Sequence, residues 1–120
     1  MKPLLHAKIS AKKFGGKWEN YIEIHNWLDQ TKGHIPDSRH RMVLHNSFGI
    51  MLCEQQFGVY IVNSSGKDVS VRDIAEHHVI DDLGYIPTLF EVFQDVAPPS
   101  DIVGGKIMAK INAGNFVLVD

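Results

Sequence analysis

The sequence predicts a mostly α-helical fold: a compact single-domain bundle of about four or five helices, one small β-hairpin and a β-prone C-terminal tail. Three observations carry that expectation. Apolar residues recur at helical spacing from Leu5 to Phe93, glycines and prolines punctuate them at helix-length intervals, and one Asn-Ser-Ser-Gly run separates two short β-branched stretches. A chain of 120 residues, 44% hydrophobic and 22% charged, supplies one core and leaves no room for a second.

Pro3 suits a first helical turn and Gly15-Gly16 a stop, so residues 3 to 14 read as a short helix with Leu5 and Ile9 inward. The alternation Leu5, Ala7, Ile9 also fits a strand. From Trp18 to Lys32, the positions Trp18, Tyr21, Ile22, Ile24, His25 and Leu28 repeat at helical spacing before Gly33. Pro36 interrupts, Asp37 or Ser38 caps, and a central helix of about five turns follows to Gly58. Its second half is apolar on several sides, which suits an element surrounded by others. A hairpin near 59–71 turns at Asn63-Ser64-Ser65-Gly66. A helix runs from Arg72 to Leu83, stopped by Gly84, and a short one begins at Pro87-Thr88. Ala97-Pro98-Pro99-Ser100 marks an edge between a domain of residues 1–97 and an extension, 98–120, whose Phe116-Val117-Leu118-Val119 is suited to pairing with a sheet edge.

Several function classes drop out. No apolar run reaches the roughly 18 to 20 residues of a membrane span, and the N-terminus lacks a secretory pattern, so a cytoplasmic location is expected, with no membrane partner. The lone Cys53, in the apolar stretch Phe48 to Cys53, reads as a buried, inert thiol. Five lysines and no acid among the first eighteen residues make a basic end. Phe14 is the one aromatic platform near those lysines, so a solvated helix face is favoured over a nucleic-acid site.

Chemistry enters through seven histidines. His25 precedes Asp29, and His78 precedes Asp82, each by one helical turn, as His77 precedes Asp81. The last two pairs lie about 100° apart around one helix. The apolar arc Ile74, Ala75, Val79, Leu83 favours His78 and Asp82 as the inward pair. His40 and His45, five apart, diverge by about 140° on an ideal helix and share an ion only if His40 sits in a frayed turn. Arg39 and Arg41 flank His40 and are anion-binding candidates, or partners for acidic helices. If His25, His45, His78 and a carboxylate from Asp29 or Asp82 met between three helices, they would make a nitrogen and oxygen site suited to zinc, manganese or iron. Otherwise the same groups form a buried hydrogen-bonded strut. His6 and His34 are looser candidates, and neither the HExxH nor the paired ExxH spacing is present.

With these residues in view, the chain resembles a family of small uncharacterised domains of bacteria and bacteriophages, cyanophages included. The resemblance rests on Asp37-Ser38-Arg39-His40-Arg41, His45, Phe48-Gly49-Ile50, and His77-His78-Val79 followed by Asp81-Asp82-Leu83-Gly84-Tyr85-Ile86-Pro87-Thr88. It spans roughly residues 3 to 95 and implies no reaction, cofactor or catalytic residue. At position 77 the family pattern often has glutamine, in keeping with His78 as the inward residue.

The favoured expectation is a small accessory protein that binds a host or phage macromolecule, alone or as a homo-oligomer. A metal-dependent hydrolase of phosphorylated or nucleotide-like substrates is the alternative, and nucleic-acid binding through the basic end is a third.

Overall fold

The computed structural model of the protein describes residues 1–94. The Pro-rich edge and the β-prone tail expected beyond it lie outside the described residues. Among the described residues, six α-helices and one hairpin run in the order α1 (Pro3–Phe14), α2 (Ile22–Leu28), α3 (Arg41–Leu44), α4 (Ser47–Phe57), β1 (Tyr60–Val62), β2 (Asp68–Ser70), α5 (Val71–Leu83) and α6 (Leu89–Val92). Residues Met1–Leu89 make one compact unit, and a second begins at Phe90.

The first unit is mostly α, as its sequence periodicity requires. Its core is Ala7 of α1, Tyr21, Ile24 and Leu28 around α2, Ile50 and Cys53 of α4, Val69 of the hairpin, and Val71, Ile74, Ala75 and Val79 of α5. Ser70 caps α5 by accepting from the Asp73 amide at 3.2 Å, and Gly84 ends it in the left-handed region at φ 83°. The hairpin is antiparallel, with Ile61 opposite Val69 on the packed face and Tyr60 and Val62 outward. Asn63 locks it to the first helices: its Nδ2 donates to the Phe14 carbonyl at 3.3 Å and to the Tyr21 hydroxyl at 3.2 Å. Asn20 and Asn63 together leave no space at Gly16, where a Cβ would lie 2.5 Å from Asn20 Oδ1 and 3.0 Å from Asn63 Cβ and the backbone has φ +74°.

Four expectations about the helices change. The first helix does not turn Leu5 and Ile9 inward: Leu5 is exposed, Ile9 is half-buried, and the buried face is His6, Ala7 and Ser10. Polar contacts made by His6 and Ser10 decide that rotation. The segment from Trp18 to Lys32 is not one helix but α2 flanked by 3-10 turns at Trp18–Asn20 and Gln30–Gly33. Asp29, with φ −100° and ψ 7°, is the joint.

The central helix is broken too. His45 leaves the helical region (φ −86°, ψ 60°), and Asn46 serves both sides of the break. Its Nδ2 donates to the carbonyls of Met42 and Val43, both at 3.1 Å, while its Oδ1 accepts from the Gly49 amide at 2.9 Å. One side chain thus closes α3 and opens α4. The turn is so tight that a Cβ on Gly49 would fall 1.9 Å from the Leu44 carbonyl oxygen. Nor is α4 surrounded by other elements, because Phe48 and Met51 are exposed and only Gly49, Ile50 and Cys53 are buried.

Gly49→Ala should therefore destabilise the fold by about 1–3 kcal/mol or more, the scale of overpacking in a tight interior, measured as a shift in the urea midpoint. Cys53 is fully buried and its thiol is pushed up to about 12, chiefly by burial. It should resist thiol reagents at neutral pH in the native state and react fully once the chain is unfolded.

Candidate metal centre

Where α2 ends, where α3 gives way to α4, and along the inner face of α5, the chain brings together four atoms of metal-ligating type. Asp29 is the C-cap of α2, His45 is the residue at which the central helix breaks, and His78 and Asp82 lie one turn apart on α5. His45 Nε2 lies 3.0 Å from His78 Nε2, 2.9 Å from Asp82 Oδ2 and 3.3 Å from Asp29 Oδ1. His78 Nε2 lies 3.2 Å from Asp29 Oδ1 and 3.4 Å from Asp82 Oδ2. All four atoms lie within 4.8 Å of one another. Both histidines are fully buried, and the two carboxylates expose at most a twentieth of their side chains.

Protons alone do not satisfy this convergence. Each Nε2 carries at most one hydrogen, yet each faces the other and two carboxylate oxygens. Two protonated nitrogens would oppose each other across 3.0 Å, and an unprotonated one would aim its lone pair at anions. Asp29 adds a buried Oδ2 with no hydrogen-bond partner among the described residues.

The electrostatics agree. Burial alone would raise both carboxylates, but hydrogen bonds from His45 and His78 hold Asp29 far below the usual range, and those from His45, His6 and His78 do the same for Asp82. His45 is pushed the other way by burial, yet bonds to Asp29 and Asp82 raise it. The centre thus holds two buried negative charges and calls for positive charge between them.

A second layer orients the first. His78 Nδ1 is 2.8 Å from His25 Nδ1, and His25 Nε2 is 2.7 Å from Ser10 Oγ. With His78 Nε2 turned to the centre, its Nδ1–H donates to His25, whose Nε2–H donates to Ser10. That order requires a neutral His25, and burial, reinforced by His78 and His6, lowers it to about 3. His6 stacks on His78 with centroids 3.8 Å apart, and its Nε2 is 3.1 Å from Asp82 Oδ1. The same oxygen receives the Met1 amino group at 3.1 Å and lies 3.6 Å from Arg41 Nη2. Asp82 therefore points Oδ2 inward and Oδ1 at an outer set of donors. His6, His25 and His78 also lie close enough to be read as a ligand triad. Their stacked rings and the short Nδ1 to Nδ1 contact identify hydrogen bonding instead.

Of the residues singled out from sequence, Asp29, His45, His78 and Asp82 meet at the centre, while His25 and His6 form the second layer. His40 is buried beside it, with Nε2 3.9 Å from Asp29 Oδ1. Arg39 is spent on an exposed bidentate pair with Asp37, its Nη2 2.7 Å from Oδ2, and His34 is exposed. His77, the neighbour set aside, is only half-buried, with Nδ1 2.7 Å from the Asp73 carbonyl and Lys13 Nζ beside Nε2. Sequence reasoning passed over Ser10, although its spacing from His6 puts both on one face of α1.

The family model described as a domain of unknown function (DUF6915) matches residues 1–102, and the chain belongs to that family. No curated protein and no solved structure matches it.

Because its folded value is lowered from 6.5 to about 3, His25 stays neutral under conditions that protonate a histidine of the unfolded chain. Nitrogen-detected NMR of chelator-treated protein at pH 5 should show a neutral His25 ring.

Proposed function

We propose that this member of the DUF6915 family is a metal-binding protein whose centre takes one divalent transition-metal ion on His45, His78, Asp29 and Asp82. One observation carries the reading: five ligand-to-ligand distances range from 2.9 to 3.4 Å. The edges of a tetrahedron about an ion at zinc-like bond lengths are ~3.3–3.4 Å. Two carboxylates neutralise a divalent charge, and two imidazoles complete a set suited to zinc, manganese or iron. The second layer supports it at His78, since a ligand histidine characteristically donates its other N–H to a fixed acceptor and His78 Nδ1 is placed 2.8 Å from His25 Nδ1 to do so, while His45 Nδ1 has no such partner among the described residues.

Such an ion ties α2, the α3–α4 junction and α5 at one point. Side chains buried to this degree suit a closed site that holds a binding surface in shape. Arg41 favours a second reading, metal-dependent hydrolysis of a phosphorylated or nucleotide-like substrate. Its guanidinium is partly exposed and sits at the rim, 3.6 Å from Asp82, where it can meet an anion.

Untagged protein purified without chelators should contain about one equivalent of a transition metal, read by elemental analysis, and Asp82→Asn should lose it. Metal at a thousandfold excess over its dissociation constant stabilises the fold by about 4 kcal/mol, so a chelator should lower the melting temperature of the native protein but not of the variant. Turnover of a phosphate ester by the loaded protein, lost in Arg41→Ala, would favour the hydrolase over the closed site.

A further inference from the structure

We propose that His40 is a fifth ligand of the metal centre, drawn onto the ion from a 3-10 turn that already holds its ring as a ligand is held. This rests on the reading of Asp29, His45, His78 and Asp82 as the primary set.

His40 ends the 3-10 turn Ser38–His40, which Asp37 caps by accepting from the Arg39 amide at 2.9 Å. Thr31 Oγ1 donates to the His40 carbonyl at 2.7 Å, which ties the turn to the segment after α2. The ring is buried, with Nδ1 2.8 Å from the Asp37 carbonyl. A carbonyl only accepts, so Nδ1 carries a proton, and in the neutral ring the Nε2 lone pair is free. Among the described residues the carboxylate oxygen nearest that nitrogen is Asp29 Oδ1, at 3.9 Å, beyond hydrogen-bonding range and without a proton to share. A lone pair is thus aimed at the edge of the centre, towards a group that cannot donate to it. Of the two imidazoles in the primary set, His45 meets it edge-on, with ring planes at 89° and centroids 6.0 Å apart.

Charge and chain geometry agree. Asp29 and Asp82 already neutralise a divalent ion, so the donor that can be added without excess negative charge is a neutral imidazole. An ideal helix would send His40 and His45 to different faces, but the turn at 38–40 and the break at His45 bring them to one centre. Towards Asp29 Oδ1 the shift needed to close 3.9 Å to a ligand-to-ligand distance is about one ångström, and because His40 stands outside the set of atoms that lie within 4.8 Å of one another, the turn must also carry its ring towards the far side of the centre. The resulting three nitrogens and two oxygens suit ions that accept five or six ligands, such as iron, manganese or cobalt, ahead of tetrahedral zinc.

X-ray absorption fine structure of the full chain loaded with cobalt(II) tests this. The expected result is three imidazoles per ion in the native protein and two in His40→Ala, with cobalt affinity in chelator competition falling about 10- to 100-fold or more. Two imidazoles in the native spectrum, or three in the variant, would overturn the assignment of His40 and leave the four-ligand centre standing. No cobalt uptake by the native protein would remove the centre itself and His40 with it. Should His40→Ala not fold, the count in the native protein decides alone.

Discussion

Everything in the folded unit is arranged around two carboxylates that have been taken out of water. Asp29 and Asp82 come from different helices, carry charge, and are almost wholly buried. Each buried charge left alone is disfavoured by several kcal/mol, so the structure supplies donors from every element that touches them. α1 brings His6, the junction of α3 and α4 brings His45, and α5 brings His78. The rotation of α1 follows from this constraint: it exposes Leu4 and Leu5 and buries His6 and Ser10. Apolar burial ordinarily decides which way a helix faces, but here satisfying a buried charged centre overrides it on one face.

The break at His45 is the means by which the centre is assembled. A continuous helix through residues 38 to 57 would place His40 and His45 on different faces and could not bring both to Asp29. Asn46 makes the interruption stable, since its amide satisfies carbonyls at the end of α3 and amide nitrogen at the start of α4, groups that a simple kink would leave orphaned. Gly49 makes the interruption compact by admitting the Leu44 carbonyl where any side chain would stand. Asn46 and Gly49, which give no atom to the centre, thus determine where His45 points.

Beyond the primary residues, the histidines act by layers. His78 is gripped at Nδ1 by His25 and covered on its face by His6, so its ring cannot rotate away from the carboxylates. Asp82 divides its two oxygens between the centre and the outer donors His6, Arg41 and the Met1 amino group. Such double engagement holds a carboxylate in one orientation and makes it a rigid partner for an ion. The apolar core on the other side of α2 and α5, with Cys53, Ile74 and Val79, fixes the helices to which these groups are attached.

Local chemistry was legible in the residues themselves. The predominance of helix, the hairpin at Asn63 to Gly66, the stop at Gly84 and the inward turn of His78 with Asp82 all follow from short-range spacing, capping and an apolar arc. So did the pool of titratable groups, because histidines one turn from carboxylates are visible as a pattern. What spacing cannot show is where a helix stops for a tertiary reason. Asp29 and His45 leave helical geometry to serve a centre assembled from elements far apart in sequence, and His6 is buried because α5 places Asp82 above it. The sequence by itself determined the elements and the donors available, since both depend on neighbours three or four residues away. Only the tertiary structure decided which donors converge, because the charge that draws them together comes from carboxylates on two helices more than fifty residues apart.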